Sequence, residues 1–383
     1  MAREVLFYAS LQVRKAFILE SPYIKRNLFV YEAYNSGKYT IAEKQQMFPH
    51  IFNSLSVVIP VLSSTFASVG RFLKYAGNMS LGMLIIDESG QAVPQSALGA
   101  IYRTRQAVVV GDPLQVEPVI TIPKVLIDIL ADSTCVANEY KVIENSVQTF
   151  ADNINEFNGM IGERQVGCPL VVHRRCIEPM FSISNLISYD NRMFNKTNKR
   201  EEYLKPENPF LIKKSGWINV EGTENGGKDH FVKKQAERVC QLMEDAVHIY
   251  SDLFETDDKI FIITPFRTVA ESMRKFVISY FSVKGYDKEM LSKWTKNCVG
   301  TVHTFQGKDA NEVLLVLGCS NKSVGAMNWV VKKANILNVA CTRAKYRIAI
   351  IGNIKDWKNR RYFRAFIPNL IDIINVKKID DME

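Results

Sequence analysis

Two short strings constrain the fold of this chain more than anything else in it. Met83-Leu84-Ile85-Ile86 runs directly into Asp87-Glu88, and Val108-Val109-Val110 runs into Gly111-Asp112-Pro113-Leu114-Gln115. Short apolar runs that end on acidic or turn residues read as strands buried on both faces, the kind found in parallel sheets covered by helices. Open sheets of that type bind ligands outside the carboxyl ends of their strands. Both strings deliver their acidic and amide groups at that end. An Asp-Glu pair there can hold Mg²⁺ on a nucleotide and activate a water, and a Gly-Asp-Pro-Leu-Gln turn one strand over can report whether a γ-phosphate is present. Alone, the Asp-Glu pair could equally cap the following helix. The second string shifts the reading to nucleotide-driven chemistry.

The remaining pattern fits the same plan. Residues 3 to about 50 show helical spacing, as in Val5, Leu6, Ala9 and Leu11. Apolar runs at 55–62, 83–86 and 107–110 predict buried strands. A second set is predicted at 217–220, 259–264, 298–302, 312–317 and 346–351, with helices over 230–248, 268–281 and 330–341. Pro169 and the Asn/Gly-containing stretch 153–168 separate the two sets. The expectation is an α/β protein with two doubly wound parallel-sheet domains, which 383 residues can accommodate. Residues 1–50 would be a helical insertion or stalk, 51–160 the remainder of the first domain, 161–360 the second, and 361–383 a tail. The basic stretch 192–214 is expected to be a solvated loop.

Composition narrows the function classes. The net charge of +9 suits a polyanionic partner such as nucleic acid, but is also ordinary solubility charge for this much surface. Seven widely spaced cysteines without a CxxC pair read as buried, reduced thiols rather than a disulfide framework or zinc site. No stretch approaches 18 apolar residues, so no membrane span or membrane partner is expected. The charged, amphipathic N-terminus lacks a signal-peptide core. A metal-dependent nuclease would need a further carboxylate or cysteine cluster, and none is evident.

More strings follow in a fixed order: His173-Arg174-Arg175-Cys176 with Glu178-Pro179-Met180, Thr264-Pro265-Phe266-Arg267, Gly300 to Asp309 (GTVHTFQGKD), and Asn338 to Lys345 (NVACTRAK). With DESGQA and GDPLQ, the set resembles motifs II, III, IIIa, IV, V and VI of the superfamily 1 helicases. It is most similar to the 5′-to-3′ branch that includes the nonsense-mediated-decay helicase. Ser63-Ser64-Thr65-Phe66-Ala67-Ser68 resembles that branch's strand-contacting motif. The resemblance covers about residues 55 to 352.

That resemblance implies two RecA-like domains, the first truncated at its N-terminus, with ATP and Mg²⁺ bound in a cleft between them. Asp87 would hold Mg²⁺ through water, and Glu88 would orient and deprotonate the attacking water. Gln115 would sense the γ-phosphate. Arg343 matches an arginine finger and Arg175 a second one; the structural alternative for each is a salt bridge. Asp112, Gly307 and Asp309 fall at nucleotide-binding positions, Asp309 standing where the family usually has Glu. Thr65, Thr301 and His303 match contacts to the backbone of single-stranded DNA or RNA, although the threonines also suit strands by β-propensity.

The family also needs GxxxxGK[ST] ahead of motif II, and nothing from Met1 to Asp87 matches it. The nearest string, Gly222 to Asp229, places a carboxylate where a hydroxyl is required and lies in the second domain. The expectation is therefore the C-terminal portion of an ATP-dependent helicase or translocase motor, an ATP hydrolase by resemblance. An upstream polypeptide segment would supply the phosphate loop, and the setting would be cytoplasmic, or nucleoid or nuclear if DNA is the track. The alternative is a non-hydrolysing nucleic-acid-binding or interaction protein derived from such a motor.

Overall fold

The helices expected at the start of the chain form, but the first strand expected after them does not. The computed structural model describes residues 2–115, 117–137, 140–141, 145–161, 164–197, 210–224, 229–305, 307–366 and 372–375. Its contacts divide the chain into two units, Met1–Asp112 with Pro118–Ala151, and Pro113–Glu117 with Asp152–Glu383. In the first unit α1 (Ala2–Glu20) leads to α2 (Pro22–Asn35), whose Ser21 cap accepts from the Ile24 N–H. Next comes α3 (Ile41–Val58), opened by a reciprocal capping box between Thr40 and Glu43. Phe48, Ile51 and Phe52 of α3 pack with Tyr34 and Leu73.

The helix α3 absorbs residues 55–58, so the strand predicted at 55–62 is not there. Its apolar run continues the helical stripe of Phe48, Ile51 and Phe52. Pro60 then stops the helix, because a proline ring disfavours helical backbone at the preceding residue. Ile59 accordingly turns to φ −122°, ψ 87°.

The first unit continues with α4 (Phe66–Phe72), β1 (Leu81–Ile86), α5 (Pro94–Tyr102), β2 (Thr104–Val109), α6 (Lys124–Ser133) and α7 (Val147–Ile154). Strands β1 and β2 are parallel, with Ile86 opposite Val109. Leu84, Ile86 and Val109 on one face pack with Phe66, Ala97 and Val147. On the other face Met83, Ile85 and Val108 are 58%, 65% and 43% exposed. An α/β sheet normally covers both faces; this one, among the described residues, covers one.

The second unit contains the hairpin β3 (Gly159–Ile161) and β4 (Arg164–Val166), then β5 (Val172–His173), α8 (Met180–Ser188), β6 (Phe194–Asn195) and β7 (Gly216–Asn219). It goes on through α9 (Lys233–Ile249), β8 (Ile260–Thr264), α10 (Arg267–Val283), α11 (Lys288–Cys298), β9 (Val299–Thr301) and β10 (Ala310–Val316). The last elements are α12 (Val324–Val330), α13 (Asn335–Arg343), β11 (Ala344–Gly352), α14 (Ile354–Trp357), α15 (Phe363–Phe366) and β12 (Asp372–Asn375). Six strands form one sheet in the order β12-β7-β11-β10-β8-β9, every pair parallel. All five residues of β8 are buried. Each large apolar side chain so covered stabilises the fold by about 1.5–3 kcal/mol. The unpredicted α11 was readable: Leu291, Trp294, Thr295 and Cys298 recur at helical spacing, and Asp287 caps the first turn.

One charge lies inside this sheet. Glu312 of β10 is fully buried and accepts from the Leu211 N–H (2.9 Å), the Ile212 N–H (2.6 Å) and the Tyr250 hydroxyl (2.6 Å). Burial raises its pKa above the ordinary 4.5, against the pull of those donors and of Arg347.

All seven cysteines are free. Five are buried as expected, whereas Cys135 and Cys168 are exposed. No helix among the described residues is long and apolar enough to cross a membrane. Most of the basic stretch expected as a loop, residues 198–209, lies outside the described residues.

Candidate nucleotide and nucleic-acid sites

At the carboxyl end of β1 the chain turns sharply. Glu88 has left-handed backbone, φ 52° and ψ 37°, which costs a residue with a Cβ of order 1–3 kcal/mol and persists only where its surroundings impose it. Here they do. The Glu88 N–H donates to Asp87 Oδ1 (2.9 Å), and the Ser89 N–H donates to the Val110 carbonyl (3.0 Å). The Gln91 amide donates to Glu88 Oε2 (3.2 Å). Asp87 is exposed and Glu88 half-buried. The turn therefore presents both carboxylates at the sheet edge with Glu88 held in place, and the half-buried Asp112 ends β2's exit segment at that edge.

Three residues support this turn, Ser89 and Gly111 from the quoted strings and Gln148, which the sequence reading did not single out. Ser89 is fully buried, its hydroxyl 2.9 Å from the Val110 carbonyl and 2.6 Å from the Gln148 side-chain oxygen. Gly111 passes so close to this turn that a Cβ on it would lie 2.5 Å from Ser89 Oγ and 2.8 Å from the Gly90 nitrogen. Gly111→Ala must push the Asp87-Glu88 turn away, a cost of about 1–3 kcal/mol for an overpacked site. Gly82→Ala in β1 meets nothing within 4 Å, so thermal melting should be lowered by the first substitution and not by the second.

Thr65, at the N-cap of α4, makes no capping bond. Its exposed hydroxyl is 3.3 Å from Ser68 Oγ. The neighbouring Phe66 packs beside Ile86, which fixes Thr65 in the same unit as the acidic turn.

In the second unit the segment Pro113–Glu117 is held at four points. Arg164 donates to the Pro113 carbonyl (2.9 Å) and Asn338 to the Leu114 carbonyl (3.1 Å). Lys333 pairs with Glu117 (2.5 Å), and Arg343 Nη2 donates to Gln115 Oε1 (3.3 Å). Asn338 is fully buried and also bonds Ser184 (2.5 Å) and Tyr189 (3.0 Å). It is the hub of this arrangement, a role that its place at the start of the NVACTRAK string did not specify.

Arg343 is completely buried. Its Nη1 donates to the carbonyls of Phe305 (3.2 Å) and Lys308 (3.0 Å), its Nε to Val339 (3.3 Å), and its Nη2 also to Thr342 Oγ1 (3.2 Å). The guanidinium thus ties α13 to the turn after Phe305, where Gly307 takes φ +76°. Gln115, Gly307 and Arg343 are brought together. Asp309, just beyond the turn, is paired with Lys345 at 2.7 Å.

Arg175 is half-buried and Arg174 exposed, and among the described residues neither has a hydrogen bond or ion pair. The next residue, Cys176, is fully buried; its N–H donates to His173 Nε2 (2.9 Å). Burial pushes its thiol up to about 12 against the pull of Arg175 and Arg343, so this thiol is inert at neutral pH.

Thr264 at the end of β8 is opposite Thr301 at the end of β9. The Thr301 hydroxyl is 3.4 Å from that of Thr304. His303 is exposed, while desolvation by the surrounding protein lowers its pKa from the ordinary 6.5. The phosphate-loop-like string from Gly222 to Asp229 is described only at its ends. There Glu224 is buried and accepts from the Ser323 hydroxyl (2.6 Å), which suits a structural loop rather than a phosphate cradle. No cluster of three metal-ligating side chains occurs among the described residues.

A family model described as an AAA domain matches residues 155–355, and another of the same description matches residues 27–122. "Probable helicase senataxin" of Homo sapiens is 23% identical over 301 residues, covering 76% of this chain and 10% of senataxin. "Regulator of nonsense transcripts 1" of Caenorhabditis elegans is 26% identical over 285 residues, covering 71% of this chain and 23% of that protein. The chain thus spans a small fraction of the relatives it matches. A solved arterivirus nonstructural protein 10 helicase with DNA overlaps 72% of this chain and 41% of its own at 13% identity, with a TM-score of 0.33, a likeness too slight to bear on the reading. The matched family and the ordered motifs carried by these two units place the chain among the superfamily 1 helicases, in the branch of the nonsense-mediated-decay helicase.

Proposed function

We propose that this chain is the C-terminal portion of an ATP-dependent motor that moves on single-stranded DNA or RNA, with residues 51–160 and 161–360 as its two RecA-like domains. The observation that carries this is the hydrogen bond from Arg343 to Gln115 above the Gly307 turn. It couples the two side chains expected to sense a γ-phosphate. Backbone carbonyls hold Nε and Nη1 of Arg343, while the side chains of Gln115 and Thr342 hold Nη2. Rotation of those side chains would turn Nη2 to a phosphate oxygen without unfolding the turn, and Arg175 would add a second positive charge.

In the first unit Glu88 would orient and deprotonate the attacking water. Asp87 fits a Mg²⁺ held through water, being an exposed carboxylate at a strand's carboxyl end. When bound, Mg²⁺ supplies neutralisation of phosphate charge. Asp112, Gly307 and Asp309 would line the nucleotide, and Thr65, Thr301 and His303 would hold the strand by its backbone with the 5′-to-3′ polarity of the branch. An upstream polypeptide segment would supply the phosphate loop. The open apolar face of Met83, Ile85 and Val108 supports such an addition.

The test is ATP hydrolysis by the purified chain with and without single-stranded nucleic acid, beside Glu88→Gln. Stimulated turnover that the substitution abolishes supports the motor. Salt-sensitive strand binding without turnover assigns grip to this chain and the chemistry to the polypeptide that supplies the loop. Loss of both would favour an interaction protein and overturn the proposal.

A further inference from the structure

The four tryptophans of this chain are not equivalent. Trp217, Trp294 and Trp357 are at most 2% exposed, whereas Trp329 is 50% exposed. Burying an indole face stabilises a protein strongly, so an exposed one that is nonetheless held rigidly is a candidate contact surface. Trp329 lies on α12 and ends a series of three rings. Its centroid is 5.9 Å from that of Phe266, and Phe266 is 4.9 Å from His230. Phe266 is buried, and the His230 carbonyl accepts from the Cys319 N–H (2.9 Å). The series is therefore anchored in the fold at the buried Phe266, with the indole its exposed end.

Its position is equally specific. Phe266 follows the carboxyl end of β8 and Cys319 follows that of β10, and these neighbouring strands are parallel. On the other side of β8, β9 ends at Thr301, with Thr264 and Thr301 in register. The rings and the expected backbone contacts Thr301 and His303 thus share one edge of one sheet, the edge at which open α/β sheets bind ligands. The chain contains no carboxylate between Glu312 and Asp356, while Lys322 and Lys332 are exposed on either side of Trp329. Rigid aromatic faces beside exposed cations are how proteins hold single strands, because every base has a π-face to stack.

We propose that Trp329 is a stacking platform for a nucleobase of a single strand whose backbone passes Thr301 and His303. This rests on the strand-binding reading above and adds the contact to a base, which no backbone-binding residue provides. Since the other three indoles are buried, stacking should quench Trp329 emission selectively.

The experiment titrates the whole chain with an oligothymidylate and with its abasic counterpart, following tryptophan emission and, on labelled strands, anisotropy. Wild type should show quenching and tighter binding to the base-bearing strand. Trp329→Ala should lose the quenching and weaken binding between about fivefold and a hundredfold, down to the abasic value. Trp329→Phe should retain most of the affinity. Unchanged emission from the buried indoles checks the fold of each variant. Binding that His303→Ala weakens and Trp329→Ala leaves intact would overturn the platform while sparing the strand reading. No binding of either strand by wild type would overturn both.

Discussion

Arg343→Ala is expected to destabilise the second unit by about 3–5 kcal/mol, measured by denaturant unfolding. The side chain is wholly buried and donates to three backbone carbonyls, Val339, Phe305 and Lys308. Leaving a buried acceptor unmatched costs about 1–3 kcal/mol, and the vacated volume adds a cavity term. Partial rehydration keeps the sum below that of three independent losses. Arg343→Lys would keep the charge but not the fork that reaches both sides of the turn, so it should recover only part of the loss. In the proposed motor, hydrolysis should also fall roughly 10³-fold or more, as for loss of an arginine finger. Gln115→Ala separates these effects, because it removes the 3.3 Å bond to Arg343 and leaves the carbonyl partners of the guanidinium in place. Its stability cost should be about 1 kcal/mol, so slow hydrolysis by that variant reports sensing rather than unfolding. An unfolding free energy unchanged by Arg343→Ala would contradict the contacts described.

Glu312→Ala is expected to cost about 3–5 kcal/mol as well, because it orphans the Leu211 and Ile212 N–H groups and the Tyr250 hydroxyl inside the sheet. The more informative variant is Glu312→Gln, studied against pH. Burial raises the Glu312 pKa, so the folded state binds this proton more tightly than the unfolded chain does. Above its folded pKa the group carries an unfavourable buried charge, and that penalty is relieved as pH falls toward the ordinary value of 4.5. Glutamine does not titrate. The stability advantage of wild type over Glu312→Gln should therefore widen as pH is lowered from about 7 to about 5, other titrating groups cancelling in the difference. A gap that narrowed would show the carboxyl to be held below its ordinary value.

Much of the fold was legible because burial on both faces leaves a direct trace in composition. The strands at 260–264, 310–316 and 344–352 were visible as apolar runs, and the acidic turn after Ile86 was visible from its placement at a strand's end. The run at 55–62 misled for the reason that makes such runs ambiguous. Apolar residues in succession suit a buried helix as well as a strand, and the capping box at Thr40 together with Pro60 decided for the helix.

The amino-acid sequence by itself singled out the groups proposed for chemistry: the carboxylates at 87 and 88 and the amide at 115, assigned to parallel-strand ends, and the guanidinium at 343, assigned to a helix end before the last strand. Short-range pattern suffices for that, because hydrophobic periodicity and motif spacing are local. Only the tertiary structure decided what each group is bonded to. It alone shows that Pro113–Glu117 belongs with the second unit, that Asn338 is the hub holding it, and that Arg343 spends its donors on carbonyls more than thirty residues away. It alone separates Trp329 from three buried indoles. Those distinctions depend on hydrogen-bond partners and exposure, and both are set by residues far apart in the chain that only packing brings together.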